Sequence, residues 1–160
     1  MSDVKNKIAP IKEGKETIKK WKQEGNKIVF TNGCFDLIHM GHVDYLEKAS
    51  QKGTKLVVGL NTDRSVTRLK GESRPIMDEH SRARILASME FVDLVILFGE
   101  DTPYNLISQL SPDILIKGSD YLTENIVGSD IVLKNGGEVL TIDLVKGYST
   151  SSIIEKIKNL

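Results

Sequence analysis

The most informative segment of the chain is Thr31-Asn32-Gly33-Cys34-Phe35-Asp36-Leu37-Ile38-His39-Met40-Gly41-His42. Residues 27–30 before it have a strand-like composition, and residues 43–49 after it have the pattern of a helix. Two of the chain's three histidines therefore lie where a strand passes into a helix. In open α/β folds this junction binds phosphate groups, because the first backbone N–H groups of the helix have no intrahelical acceptor.

Length and composition indicate one soluble globular domain over residues 1–160, with 39% hydrophobic and 28% charged residues. The 22 basic residues balance the 22 acidic residues, so net charge gives no support to nucleic-acid binding. The sequence lacks the roughly 20-residue apolar run of a membrane helix and the core of a signal peptide, so we expect a cytoplasmic protein without membrane contact. A single cysteine, Cys34, excludes an internal disulfide and a multi-thiolate metal site.

Apolar runs that alternate with amphipathic segments predict a Rossmann-like three-layer α/β/α sandwich with a five-stranded parallel sheet. Residues 1–12 are expected to form a loose N-terminal arm. The expected strands span residues 27–31, 55–60, 91–98, 113–116 and 138–144. The expected helices span residues 13–25, the segment after Gly41 to about Gly53, residues 62–69 with Asn61 as their cap, 78–89, 102–110, 131–134 and 149–157.

Polar segments follow three of the predicted strands, at residues 32–42, 117–121 and 146–152. Because the carboxyl ends of parallel strands lie at one edge of the sheet, these segments are expected to converge there. The convergence follows from the topology alone. It predicts a ligand site at that edge.

His39 and His42 are three residues apart and share one face of a helical turn. Gly41 between them lets a phosphate approach the backbone, and two imidazoles beside helix-end N–H groups can position a phosphoryl group and neutralise its charge. Two structural histidines or two metal ligands are the alternatives. A zinc site would need further ligands such as His80 and an aspartate, and no spacing supports that set.

Two residues of the turn are open to both functional and structural interpretations. Gly33 allows close backbone approach to a triphosphate, or is a simple turn glycine. Asp36 orients a histidine, holds a cation, or is a simple turn aspartate.

Cations and hydroxyls occur in the other converging segments and near them. Lys70 lies with Arg68 and Arg74 in a basic segment that contains Gly and Pro. A mobile lysine there could bind and release a triphosphate, or the charges could simply form a solvated surface. Lys117 at a strand end can reach a phosphate, and Asp120 can bind a sugar hydroxyl or a cation, unless the segment is a plain connection. Residues 149–152 supply four hydroxyls at a helix start, which forms a phosphate seat or an ordinary N-cap.

Three common nucleotide and hydrolase signatures are absent from the sequence. It contains no Gly-x-x-x-x-Gly-Lys-Ser/Thr, which excludes a P-loop kinase. It contains no Gly-x-Gly-x-x-Gly after the first strand, which disfavours dinucleotide binding. It also contains no Gly-x-Ser-x-Gly elbow, which disfavours a hydrolase of that type.

Motifs along nearly the whole chain, from about Lys12 to its end, resemble those of the cytidylyltransferase-like nucleotidyltransferases. The His-x-Gly-His element belongs to that superfamily at large. The branch that the chain resembles is the adenylyltransferase domain of bacterial heptose-phosphate enzymes, which make ADP-heptose for lipopolysaccharide or related glycans. The resemblance to this branch rests on residues 30–36 with His39 to His42, 59–63, 69–71, Arg74-Pro75, Arg82, Val92-Asp93, 100–103, Lys117-Gly118, Asp120-Tyr121, 135–139 and Ser149-Thr150.

The resemblance implies a role for each matching residue. His39 and His42 would stabilise the transition state around the α-phosphate and the departing pyrophosphate, and Lys70 would approach the reacting phosphates. Mg²⁺ would accompany ATP, with no metal ligand assigned to the protein. Asp36, Asp120 and Tyr121 would bind the sugar phosphate. The residues expected to bind the nucleotide are Thr31, Asn32, Gly33, Phe35, Gly41, Arg82, Lys117, Ser149 and Thr150.

The reaction that the resemblance implies is transfer of AMP from ATP to a heptose 1-phosphate, giving ADP-heptose and pyrophosphate. A separate sugar kinase would act earlier in the pathway, and a homodimer is common among similar proteins. One alternative is a CTP-dependent cytidylyltransferase acting on glycerol 3-phosphate or another polyol phosphate. Cytidylyl relatives carry an arginine shortly before the final Ser/Thr cluster, where this chain has only Lys146, so CTP is disfavoured. A nucleotide-binding sensor module without turnover is the non-enzymatic alternative.

Overall fold

Six parallel strands form one sheet in the computed structural model, which describes residues 3–160. The strands are β1 (Ile8–Ala9), β2 (Ile28–Gly33), β3 (Lys55–Asn61), β4 (Leu94–Phe98), β5 (Ile114–Gly118) and β6 (Glu138–Ile142). Their order across the sheet is β1-β4-β3-β2-β5-β6, and every neighbouring pair is parallel. The chain therefore reverses its direction of travel across the sheet between β2 and β5, and such a switch point forms a crevice for ligands.

The structure of residues 3–160 contains seven α-helices, which are α1 (Ile11–Gln23), α2 (Met40–Ser50), α3 (Asp63–Lys70), α4 (Glu79–Ser88), α5 (Tyr104–Leu110), α6 (Ser129–Lys134) and α7 (Thr150–Lys158). Helices α2 and α4 pack on one face of the sheet through residues such as Leu46 and Leu86. Helices α1, α5 and α6 pack on the other through residues such as Ile18, Leu106 and Val132. Helices on both faces confirm the predicted Rossmann-like α/β/α sandwich.

The central strands are buried on both sides, which explains their unbroken apolar runs. In β3, every residue from Leu56 to Asn61 is buried. Leu56 and Val58 face one core cluster, while Val57 faces the other. This two-sided burial is typical of a parallel sheet between helical layers.

The expectation of five strands was wrong, because the N-terminal segment contributes a sixth. Ile8 and Ala9 pair with Val95 and Ile96 of the edge strand β4, and a short 3₁₀ helix, Val4–Lys7, precedes them. The loose arm predicted for residues 1–12 was therefore wrong for residues 3–12; Met1 and Ser2 lie outside the described residues. A strand of two residues leaves no periodic pattern in the sequence, which is why only the structure reveals it.

Helix α3 begins one residue later than expected. Thr62, rather than Asn61, is its N-cap, with its side chain accepting a hydrogen bond from the Ser65 N–H. Asn61 remains in β3, and its side-chain amide donates to Ser65 Oγ at 2.8 Å. Of the helices in residues 3–160, none is both long and apolar enough to cross a membrane.

Candidate active site

A cleft of about 660 Å³ opens at the carboxyl ends of β2, β3 and β5. The loop from β2 to α2 forms its centre, and two walls stand on either side. The α3 end and the following loop, with Lys70 and Arg74, form the wall after β3. The other wall comes after β5 and β6 and contains Lys117, Asp120 and the start of α7. The three polar segments thus converge at one edge of the sheet, as predicted.

His39 and His42 lie at the start of α2 and stack on each other. Their ring centroids are 3.8 Å apart at an interplanar angle of 23°. His39 is the N-cap, and its Nδ1 accepts the N–H of Gly41 at 3.1 Å. His42 Nδ1 in turn accepts the N–H of His39 at 3.4 Å. The two rings therefore cap the helix that carries them, and each uses its Nδ1 to do so.

Both imidazoles favour the neutral state. Burial lowers the pKa of His39, and burial together with the neighbouring His39 lowers the pKa of His42 to about 4 despite the opposing charge of Asp36. Because each Nδ1 accepts a hydrogen bond, the proton of each neutral ring belongs on Nε2. The site thus presents two neutral N–H donors that lose no proton at neutral pH.

Gly41 keeps this corner open. A Cβ at Gly41 would lie 3.0 Å from ring atoms of His39 and 3.2 Å from the Cβ of Tyr148. Those contacts are tighter than ordinary van der Waals separation, so a side chain here would displace the His39 ring or the segment before α7. The glycine is required by close packing between α2 and that segment.

Asp36 holds the β2–α2 loop to the loop that follows α3. Its carboxylate accepts from Arg74 Nε at 2.7 Å, from the Ile76 N–H at 2.8 Å and from the Met77 N–H at 3.0 Å. Burial alone would raise the pKa of Asp36, but these three donors outweigh it and hold the pKa below its usual range. The observed contacts of the Asp36 side chain are all with the protein, and the expectation that it binds substrate or a cation stays a prediction.

Lys117 reaches across the sheet to the end of β2. Its Nζ donates to the backbone oxygen of Asn32 at 3.0 Å. Burial lowers its pKa to about 8, although Cys34 and Asp120 act in the opposite direction. The ammonium is poorly solvated, and an anionic ligand in the cleft would stabilise its charge.

Helix α7 directs its N-terminus at the cleft. Ser149 is the N-cap and accepts the Ser152 N–H at 3.0 Å, while Thr150 Oγ1 donates to the backbone oxygen of Asp36 at 2.6 Å. These two hydroxyls therefore anchor the helix. The N–H groups of Thr150 and Ser151, in its first turn, have no intrahelical acceptor, so the backbone supplies the anion-binding groups.

The cleft brings together nearly all of the residues expected from the sequence. Those that line it are Asn32, Gly33, Phe35, Asp36, His39, Gly41, His42, Lys70, Lys117, Asp120, Tyr121, Ser149 and Thr150. Thr31 and Arg82 do not line it. Thr31 is fully buried, with its hydroxyl 2.8 Å from the hydroxyl of Tyr45, so its side chain supports the sheet instead.

Arg82 lies beneath the cleft, fully buried, and does not reach the nucleotide side as expected. Its guanidinium donates to the backbone oxygens of Cys34 and Asn61, at 2.6 and 2.9 Å, and to the carboxylate of Asp63 at 2.7 Å. It also donates to the backbone oxygen of Met77 at 2.9 Å. Arg82 therefore ties the ends of β2 and β3 to the loop before α4.

Sequence reasoning assigned no role to several residues that line the cleft. Arg74 was noted in a basic loop and in a motif of the resemblance, but its role became visible only with the Asp36 contact. Tyr148 and Leu144 form an apolar part of the opposite wall. Asn61, Asp101, Thr102 and Asn125 are further polar residues of the lining. The first three lie in segments that carry the resemblance, yet those motifs assign them no role, and no motif contains Asn125.

Within residues 3–160, no group of three His, Cys, Asp or Glu side chains is placed to hold a metal ion. The carboxylate of Asp36 at the cleft centre already accepts three hydrogen bonds. A divalent cation that enters with a nucleotide would take oxygen ligands from its phosphates.

The family model described as cytidylyltransferase-like matches residues 30–156, from β2 into α7. The chain belongs to the cytidylyltransferase-like family. The match contains both walls of the cleft and the two stacked histidines. It confirms the family expected from the sequence and, at that level, the expectation of a nucleotidyltransferase.

Relatives with high sequence identity show which members of this family the chain is similar to. The bifunctional protein HldE of Magnetococcus marinus is 54% identical over 152 residues, which are 95% of this chain and 31% of the relative. The HldE protein of Campylobacter jejuni is 58% identical over 149 residues, which are 93% of this chain and 32% of the relative. The chain thus spans less than a third of each relative's length. These matches confirm the resemblance that the sequence motifs indicated.

Two solved structures share the fold. The lipopolysaccharide core biosynthesis protein from Thermoplasma volcanium superposes with a TM-score of 0.62 at 32% identity, over 78% of this chain and 99% of that one. The pantothenate synthetase from Thermus thermophilus superposes with a TM-score of 0.64 at 16% identity, over 96% of this chain and 70% of that one. The second likeness concerns the fold alone.

Proposed function

We propose that this protein transfers AMP from ATP to a heptose 1-phosphate, releasing pyrophosphate and forming ADP-heptose. The observation that carries the proposal is the pair of stacked, neutral histidines, which lies between a cationic wall and a helix N-terminus. Sugar-phosphate specificity rests on the heptose-type motifs and on the identity to HldE proteins. The acceptor must arrive already phosphorylated, so a sugar kinase acts before this step.

The reaction needs charge stabilisation more than covalent help. An oxygen of the acceptor phosphate, already an anion at neutral pH, forms a bond to the α-phosphorus of ATP. The bond from that phosphorus to the bridging oxygen breaks, and pyrophosphate leaves with the electron pair. No proton transfer is required, so donors that stay protonated through the reaction are what the site must supply.

The geometry meets this need. His39 and His42 would donate from Nε2 to the α-phosphate oxygens, with their Nδ1 atoms fixed by backbone N–H groups. Lys117 and the N-terminus of α7 would hold the β- and γ-phosphates of MgATP, and Lys70 would approach the reacting α-phosphate from the opposite wall. Mg²⁺ would enter with this substrate, bound to its phosphate oxygens.

The substrate is tested by a panel that measures pyrophosphate release with ATP and CTP. The acceptors are both anomers of heptose 1-phosphate and glycerol 3-phosphate. We expect turnover with ATP and one heptose anomer. Turnover with CTP and glycerol 3-phosphate would replace the proposal with a cytidylyltransferase. Tight ATP binding with no release in any combination would indicate a nucleotide sensor.

The role of the histidines is tested by His42→Ala. Loss of a donor made in the transition state typically costs about 100- to 1000-fold in kcat, and the fold should survive because the cap at His39 remains. His80→Ala is the matched control, since His80 is exposed on α4 and does not line the cleft. Turnover near that of the wild type in His42→Ala would remove His42 from the catalytic site.

A further inference from the structure

Arg74 is a cation of the cleft whose direction is fixed by a buried carboxylate. Its side chain is 14% exposed and its Nε donates at 2.7 Å to Asp36, whose side chain is fully buried. Lys70, by contrast, is exposed at the end of α3. An arginine held through Nε keeps the N–H groups of its two terminal nitrogens for another acceptor. Within residues 3–160, those terminal nitrogens have no hydrogen-bond partner, and Arg74 lines the cleft.

The backbone around Arg74 reinforces this direction. Thr67 Oγ1 donates to the Arg74 backbone oxygen at 2.7 Å, which joins the loop to α3. The Arg74 N–H donates to the Gly71 oxygen at 3.1 Å and closes a tight turn. Asp36 then accepts the N–H groups of Ile76 and Met77 on the far side of the loop. The backbone around Arg74 is therefore held by Thr67 on one side and by Asp36 on the other, and Asp36 also holds the guanidinium.

Topology places Arg74 opposite the wall that suits a triphosphate. Lys117 and the start of α7 follow β5 and β6, while Arg74 follows β3, and the histidines after β2 lie between them. In-line displacement puts the attacking and leaving oxygens on opposite sides of the phosphorus. If pyrophosphate leaves toward α7, the attacking phosphate must be held on the wall of Arg74.

We infer that Arg74 binds the phosphate of the acceptor substrate and that Asp36 is the positioning residue that aims it. The ligand is a phosphomonoester dianion, which matches the two parallel N–H groups that a guanidinium fork offers. The inference rests on the proposed function for the identity of that acceptor. It gives Asp36, whose observed contacts are all with the protein, a role that acts through Arg74.

Arg74→Gln tests the inference because it should affect the KM for the sugar phosphate and not the KM for ATP. We expect the KM for the sugar phosphate to rise at least about tenfold, the loss expected for a charge-assisted hydrogen bond, while the KM for ATP stays within about twofold. Arg68→Gln is the matched control: Arg68 also donates its Nε to an aspartate, Asp101, at 2.8 Å, but does not line the cleft. A rise in the KM for ATP instead would overturn the assignment.

Asp36→Asn tests the positioning role. If Asp36 acts by aiming Arg74, the double variant with Arg74→Gln has the same KM for sugar phosphate as Arg74→Gln alone. If Asp36 contacts the substrate itself, the two effects multiply, and the positioning role is excluded. Arg74→Lys, which keeps the charge and loses the fork, should not restore the wild-type KM.

A binding measurement separates failure of this inference from failure of the proposed function. Inorganic phosphate is titrated by calorimetry onto protein saturated with a non-hydrolysable ATP analogue. Wild-type and Arg68→Gln proteins should bind it, and Arg74→Gln should bind at least about tenfold more weakly. Equal binding by all three would overturn the role of Arg74 even if a heptose phosphate is turned over. Loss in Arg74→Gln alone would support it even if no sugar phosphate reacts.

Discussion

At the scale of single residues, the chemistry depends on where each histidine keeps its proton. The backbone N–H groups of His39 and Gly41 occupy the two Nδ1 atoms, and the stack at 3.8 Å makes a second positive charge unfavourable. Two uncharged donors can therefore lie side by side where two imidazoliums would repel each other. In the proposed reaction, a neutral donor would also lose no proton as pyrophosphate departs.

The lowered pKa of His42 predicts a pH dependence of stability. Its pKa is about 4 in the folded protein and near 6.5 when unfolded, so between these values only the unfolded state takes up the proton. The free energy of unfolding should therefore be fully retained above about pH 6.5 and fall toward pH 4, by at most about 1.4 kcal/mol per pH unit from this group.

Urea denaturation of wild type and His42→Asn across this range measures the effect. The slope of the free energy of unfolding against pH should be shallower in His42→Asn, and His80→Asn should keep the wild-type slope. The lowered pKa of Asp36 affects stability only below the ordinary aspartate pKa of 3.8, outside this window. Equal slopes in wild type and His42→Asn would show that His42 protonates freely in the folded protein.

At the scale of elements, α7 differs from the other helices that shape the cleft. None of its nine residues is buried, whereas α2 and α3 both have buried residues. Its start is held to the cleft centre by the hydrogen bond from Thr150 Oγ1 to Asp36. A helix with so little buried apolar surface opens locally at low cost, and a ligand at its N-terminus would hold it closed.

Hydrogen exchange of the α7 amides tests this coupling. We expect α7 to exchange faster than α2, and ATP at 100 times its Kd to slow α7 exchange by up to about 100-fold, since binding stabilises only the closed form. Adenosine, which lacks phosphates, is the control and should have little effect. Equal slowing by adenosine and ATP would place the stabilising contact at the base rather than at the helix N-terminus.

The elements also show what the sequence could predict. Helices and strands with long periodic patterns, such as β3 and α4, were found within one to two residues. The two-residue β1 was missed because pairing with β4, not a local pattern, creates it. Residues that a motif places just after a strand or at its end, such as His39 and Lys117, line the cleft as expected, and their roles stay predictions. Arg82 and Thr31 were placed wrongly in the cleft, because the motif that contains a residue does not show whether its side chain faces inward.

At the scale of the whole molecule, the cleft exists because the chain reverses its direction of travel across the sheet between β2 and β5. Two walls from opposite sides of that point must be held at a fixed separation for in-line chemistry. Asp36 connects the centre to one wall through Arg74, Ile76 and Met77, and its backbone oxygen connects it to α7 through Thr150. Beneath them, Arg82 joins four segments of chain with four hydrogen bonds.

Arg82→Met should therefore destabilise the whole fold. The change keeps an apolar stem but leaves the backbone oxygens of Cys34, Asn61 and Met77 without their donor and removes the partner of Asp63. Breaking a buried charged network typically costs about 3–5 kcal/mol, and we expect a loss of that order in the free energy of unfolding by urea.

Arg84→Met, on the same helix but exposed, is the control and should change stability by no more than about 0.5 kcal/mol. If Arg82 contacted the nucleotide instead, its loss would weaken ATP binding at nearly unchanged stability. The two measurements therefore separate support of the cleft from contact with the ligand. If Arg82 supports the cleft, Arg82→Met should lower the urea midpoint. ATP at saturating concentration should partly restore that midpoint, because binding selects the closed arrangement of both walls.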